Sequence, residues 1–99
     1  MAVACVRYRP KTDANQAEIV AALRAVGATV QILAAVGDGC PDLLVGFRGT
    51  NYLLEVKDGA KPPSARRLTE AQTEWFAGWR GRAAVVNSAR GALAEIGAL

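Results

Sequence analysis

The sequence contains no histidine. That removes the side chain that most often acts as a general base near neutral pH, and with it the Ser-His and Cys-His nucleophile pairs. There are only two cysteines, Cys5 and Cys40, and their separation forms no metal-ligand pattern. No apolar run approaches membrane-spanning length. The start, Met1-Ala2-Val3-Ala4-Cys5-Val6, runs straight into Arg7-Tyr8-Arg9 and lacks the form of a signal peptide. The expectation is a cytoplasmic protein with reduced thiols, no membrane association and no organic cofactor. Any catalysis has to rest on carboxylates, lysine and a metal ion.

What is present fits one small domain. The chain has 99 residues, 52% of them hydrophobic, enough for a single core with a modest buried fraction. The net charge is +3, a mild basic excess that permits a polyanionic partner without requiring one. The positions of the charges say more than their sum.

Residues 1–12 read as a basic arm, with Arg7, Arg9 and Lys11 around Tyr8 and Pro10. A helix is expected from near Asp13, with Asp13 as N-cap and Gln16 at the third helical position, as in a capping box. Ile19, Leu23 and Val26 fall at helical spacing and are expected to face the core, and Gly27 to end the helix. Residues 28–36 (ATVQILAAV) read as a strand, 42–47 (DLLVGF) as a second and 52–57 (YLLEVK) as a third. Arg48-Gly49-Thr50-Asn51 is the turn of a β-hairpin between the last two. Residues 58–68 form a loop marked by Gly59 and Pro62-Pro63. A second helix is expected over 69–79, with Thr69 and Gln72 as another possible capping box. A short strand over 83–86 and a final helix over 89–96, capped by Ser88 or Asn87, complete the chain. The order α-β-β-β-α-β-α implies an α/β domain in three layers, a central mixed sheet flanked by helices.

Two acidic residues in the hairpin are hard to explain as packing. Asp42 opens one apolar strand directly after Pro41, and Glu55 sits inside Leu53-Leu54-Glu55-Val56-Lys57. A carboxylate inside such a strand is costly unless something compensates it. Side chains alternate along a strand, so Glu55 and Lys57 share one face while Leu54 and Val56 face the core. With a turn centred near Gly49, Asp42 pairs across the hairpin with Glu55 or its neighbour, about 5 Å away. Two carboxylates so close repel, and one protonates unless a cation lies between them. A divalent ion such as Mg²⁺, which often takes only one or two carboxylates plus waters and substrate phosphate, fits that place. The competing reading is a surface hairpin with solvated Asp, Glu and Lys. Glu-X-Lys and Pro-Asp are each common alone; their conjunction across a tight apolar hairpin favours chemistry.

Gly39-Cys40-Pro41-Asp42-Leu43-Leu44, Leu54-Glu55-Val56-Lys57 and Leu68-Thr69-Glu70-Ala71-Gln72-Thr73-Glu74-Trp75, in that order, resemble the PD-(D/E)XK nuclease superfamily. The nearest likeness is to its VRR-NUC group of small stand-alone nucleases, common in phages and bacteria. It covers residues 13 to about 86. The resemblance implies a restriction-endonuclease-like fold and a Mg²⁺- or Mn²⁺-dependent endonuclease acting on branched DNA such as four-way junctions as a homodimer. It implies Asp42 and Glu55 as metal ligands, the Val56 carbonyl oxygen as a possible third, and Lys57 as the catalytic lysine. It further suggests Glu18 in the first helix as a metal contact, direct or through water, and Gln72 as a residue near the active site.

Local readings compete at several of these positions. Glu18 also suits an ordinary helix surface, and Gln72 a capping-box partner, so a mixed role is expected for Gln72. Asp38 lies in a Gly-flanked turn where Asp is expected anyway, and Asp58 simply begins a loop. Trp75, Phe76 and Trp79 read as core residues rather than base-stacking ones. Lys61, Arg66 and Arg67 leave the third strand beside the acidic pair and are expected to contact DNA phosphates; Arg7, Arg9, Lys11, Arg80 and Arg82 are further cations of undecided role. No helix-turn-helix or zinc-finger signature is present, so recognition by DNA shape is expected over recognition of sequence. Two other functions stay open: a noncatalytic nucleic-acid-binding module of the same fold, and a small structural or interaction domain such as a phage assembly factor.

Overall fold

The computed structural model describes residues 13–99; the basic arm expected over 1–12 lies outside the described residues. From 13 onward the elements are α1 (Gln16–Ala25), β1 (Thr29–Ile32), β2 (Leu43–Phe47), β3 (Thr50–Val56), a 3₁₀ turn (Pro63–Arg66), α2 (Glu70–Gly78), β4 (Ala83–Val86) and α3 (Ala89–Glu95). The result is a small α/β domain with three helices among the described residues. No helix among them is long and apolar enough to cross a membrane.

The sheet is mixed, in the order β1-β2-β3-β4. β2 pairs antiparallel with both β1 and β3, and β4 runs parallel to β3. A parallel neighbour cannot be reached by a tight turn. The stretch from 57 to 82, with the 3₁₀ turn and α2, makes the crossover.

Alternation along the strands sorts the side chains between two faces. Leu43 and Val45 on β2, with Tyr52, Leu54 and Val56 on β3, are buried together against Ile19, Val20 and Leu23 of α1 and Ala92 of α3. Fully burying each of the Leu, Ile and Val side chains stabilises the fold by about 1.5–3 kcal/mol. The Tyr52 hydroxyl donates to the Ile96 carbonyl oxygen at 3.4 Å, satisfying the polar end of an otherwise apolar ring. The opposite face carries Asp42, Glu55 and Lys57, and the first turn of α2 meets the sheet there.

Several local expectations need correction. The first helix is capped by Asn15, not Asp13, and no capping box forms: the Asp13 carbonyl accepts from the Gln16 N–H at 3.0 Å, while Gln16 itself is buried. Val26 is 38% exposed rather than core, because the helix ends at Ala25 and its register no longer points inward. β1 stops at Ile32, where residues 34–36 turn away, closed by the Val36 N–H on the Leu33 carbonyl at 3.0 Å. The hairpin turn is tighter than expected. Phe47 pairs with Thr50, and the two intervening residues have positive φ, 50° at Arg48 and 80° at Gly49. That backbone twist matches the twist of the flanking strands and lets β3 begin two residues earlier. Trp75, Phe76 and Trp79 are not core, since α2 contains no buried residue and Trp79 is 46% exposed. The second capping box forms as expected, and Ser88 rather than Asn87 caps α3.

Candidate active site

The β2–β3 register fixes the acidic pair. Leu43 pairs with Leu54, so the next position outward sets Asp42 opposite Glu55 on the face turned from the core. Asp42 is also tied to the backbone beyond Glu55, its Oδ2 accepting the Val56 N–H at 2.8 Å. The Val56 side chain is fully buried, so the strand at this point cannot shift without disturbing the core.

Glu55 is only 3% exposed, despite its charge. The Gln72 amide donates to its Oε2 at 2.9 Å, and the Lys57 ammonium lies 3.5 Å from the same oxygen. The other oxygen, Oε1, is buried with no protein donor. Its acidic neighbour Asp42 can complete a hydrogen bond to Glu55 only when one of the two holds a proton. Burial, then the Asp42 charge, push the Glu55 carboxyl up from 4.5 to about 7, against the opposing pull of Lys57. A buried acid with one donorless oxygen and a second acid beside it is a place for a proton or a metal cation.

Gln72 links the whole centre. Its Oε1 accepts from the Lys57 ammonium at 2.9 Å and from the Thr69 backbone N–H at 2.9 Å, while its Nε2 serves Glu55. Only this amide orientation matches donors to acceptors. Thr69 returns the cap, its Oγ1 accepting from the Gln72 N–H at 3.2 Å. One side chain thus closes the helix and holds both a base-like acid and an ammonium.

The loop before β2 completes the wall. At Gly39, φ is +79°, and an added Cβ would stand 2.3 Å from the Ala71 carbonyl oxygen. Only glycine allows the Asp42 loop to lie this close to the first turn of α2. The resulting cleft, about 340 Å³, is lined by Asp42, Glu55, Lys57 and Gln72 together with Asp13, Cys40 and Thr69. The sequence reading missed Asp13, assigned to a cap, and Cys40, for which no local pattern gave a signal. Burial, then the charges of Asp42 and Glu55, raise the Cys40 thiol, which disfavours the thiolate there.

The remaining expected residues are dispersed. Glu18 is exposed and lines a separate hollow with Asn15, Asp58 and Asn87, so it is not brought to the cleft. Lys61 lies 3.9 Å from Asp13 at the cleft edge, with both side chains partly exposed, a weak pair. Arg66 is half-buried and Arg67 exposed, just before α2. Asp38 has φ 55°, a local turn conformation, and Asp58 accepts the Ala60 N–H at 2.9 Å, a local loop bond.

Among the described residues, no group of three or more Asp, Glu, Cys or His side chains is placed to hold a metal ion. Two carboxylates, one with an unpartnered oxygen, suit a hard cation that completes its shell with water and phosphate, as Mg²⁺ does. Comparison with family models, with curated proteins and with solved structures finds no match to this chain.

Proposed function

We propose that this chain is a divalent-metal-dependent endodeoxyribonuclease with a restriction-endonuclease-like fold, acting on branched DNA such as four-way junctions. The observation that carries the reading is Glu55: a buried acid facing Asp42, with Oε1 lacking any protein donor and a lysine 3.5 Å from its other oxygen. Asp42 and Glu55 would hold Mg²⁺ or Mn²⁺, with the Val56 carbonyl as a backbone candidate. When bound, such an ion lowers the pKa of a coordinated water and acts as a Lewis acid on a phosphodiester.

The protein's own parts have separable tasks. Asp42 is positioned by the Val56 N–H and keeps a second oxygen for the ion. Lys57 brings a positive charge to the cleft, where it can orient water and balance phosphate charge. Gln72 holds Lys57 and Glu55 in register. Lys61, Arg66 and Arg67 supply phosphate contacts beside the cleft. Two copies of the chain would present two such centres to a junction, a stoichiometry that analytical ultracentrifugation reads.

The test is a panel of junction, flap and linear DNA incubated with Mg²⁺, Mn²⁺ or EDTA. Asp42→Ala and Glu55→Ala are expected to abolish cleavage with unchanged circular dichroism. Cleavage persisting in both variants would remove the site. A second reading is a noncatalytic nucleic-acid module, in which the same cleft, where no group of three or more Asp, Glu, Cys or His side chains among the described residues is placed to hold a metal ion, binds DNA without turnover. It is distinguished by metal-independent DNA binding with no cleavage of any member of the panel.

A further inference from the structure

Helix α2 extends from the cleft with an aromatic side that is half-buried at Trp75 and Phe76 and opens to solvent at Trp79. At 3.6 residues per turn, Gln72, Trp75, Phe76 and Trp79 share one side of the helix, and Glu70 and Glu74 occupy the other. Gln72 is in the cleft. Trp75 and Trp79 stack with ring centroids 4.6 Å apart and planes 16° apart, and Phe76 meets Trp75 edge-on at 5.2 Å. Trp75 and Phe76 are half-buried, and Trp79 is 46% exposed. Trp75 and Trp79 lie about 4.5 and 10.5 Å along the axis from Gln72, at 1.5 Å per residue. That is roughly one to three nucleotide steps at a rise of about 3.4 Å.

We propose that this aromatic side is a stacking platform for an unpaired nucleobase, so that the site takes DNA with single-stranded nucleotides next to the scissile bond. The inference rests on the nuclease reading and narrows its substrate class to branched DNA with unpaired nucleotides at the branch. Exposed aromatic rings take bases of any sequence, since every base has a π face, but a base inside a duplex is already stacked on its neighbours. Charge is arranged to match. Exposed Arg80 follows Trp79 and exposed Arg67 precedes the helix, while the two glutamates point away from the platform. A second copy of the chain is a poorer occupant. One side of a nine-residue helix, about 13 Å long and 10 Å wide, is far smaller than the roughly 800 Å² per partner of a stable interface.

The experiment titrates the wild-type protein in EDTA with oligothymidylate and with a blunt duplex of equal length, following tryptophan emission and the anisotropy of labelled DNA. The expected result is quenching by oligothymidylate and affinity about tenfold weaker in Trp79→Ala. Trp79→Phe should recover most of the loss. Trp79→Leu, which keeps apolar cover but has no π face, should behave as Trp79→Ala. Blunt-duplex affinity should change less than twofold. Unchanged oligothymidylate affinity in the Ala and Leu variants overturns the platform, as does equal weakening on the blunt duplex. A shift from dimer to monomer in sedimentation with oligothymidylate affinity intact also overturns it, assigning the side to a second copy. Weakened single-strand binding with no cleavage by wild type upholds the platform and removes the nuclease reading; cleavage with unchanged affinity does the reverse.

Discussion

Gln72 and Glu55 meet at 2.9 Å although one caps a helix and the other lies inside a β-strand. The contact makes helix capping and site geometry properties of one side chain. Gln72→Ala should therefore lower both stability and cleavage. Loss of the capping box costs about 1 kcal/mol. Freed from the amide, Lys57 and Glu55 can close on each other directly, and single-turnover cleavage should fall on the order of tenfold or more. Thr69→Ala removes the cap hydroxyl but leaves the amide, so its stability loss should be similar and its rate loss smaller. Chemical denaturation and single-turnover kinetics on both variants check this.

The pH dependence of stability follows from Glu55. Its carboxyl is raised in the folded state from 4.5 to about 7, so the native protein binds more protons than the unfolded chain between those values. Its stabilising contribution is complete below about 4.5 and lost as the pH rises through 7, on the order of 3 kcal/mol in all. In EDTA, the melting temperature of wild type should show this fall between pH 5 and 8. Glu55→Gln, which cannot ionise, should lack this component and melt higher than wild type at pH 8.

A divalent ion should compete with that proton. At pH 6, where Glu55 is mostly protonated, Mn²⁺ binding should release up to about one proton; at pH 8 it should release almost none. Calorimetry in two buffers of different ionisation enthalpy measures the difference. Equal proton release at both values, or no heat of binding, would contradict cation binding at the acidic pair.

Gly39→Ala tests how the Asp42 loop reaches α2. The added methyl would meet the Ala71 carbonyl at 2.3 Å and would also need φ of +79°. A loss of at least about 2 kcal/mol is expected. Gly37→Ala has a similar φ, +80°, but open space around it, so only the backbone cost of about 1–2 kcal/mol should appear. Urea denaturation of the pair separates close approach from conformation.

Asn15 offers a contrast between capping and bridging. Its Nδ2 donates to the carbonyl oxygens of Lys57 and Asn87, each at 3.1 Å, and no side-chain cap bond is made. Asn15→Asp keeps a good N-cap residue but has no donor. If bridging matters, it should lose about 1–3 kcal/mol, as Asn15→Ala does, and cleavage should fall because the strand end carrying Lys57 is released. Stability equal to wild type would mean that the bridge contributes nothing.

Much of the architecture is local and was therefore readable. The Thr69–Gln72 capping box depends on spacing within one turn, and the hairpin on a Gly-containing turn between two apolar runs. Period-two alternation alone set Glu55 and Lys57 against Leu54 and Val56. Expectations failed where tertiary contacts outweighed local preference: Asn15, drawn to two distant carbonyls, took the cap position from Asp13, and the α2 aromatics are covered only in part, Trp75 and Phe76 half-buried and Trp79 exposed.

The sequence alone determined which side chains share a strand face and which residues can cap a helix, because both follow from backbone geometry repeated every two or every 3.6 residues. Only the tertiary structure decided that Gln72 reaches Glu55 and Lys57, that Glu18 lies in a different hollow, and that Glu55 is buried with one oxygen lacking a donor. Those facts depend on the crossover that carries α2 back to the sheet and on the close contact at Gly39. They join positions far apart in the chain, where no local period relates one residue to another.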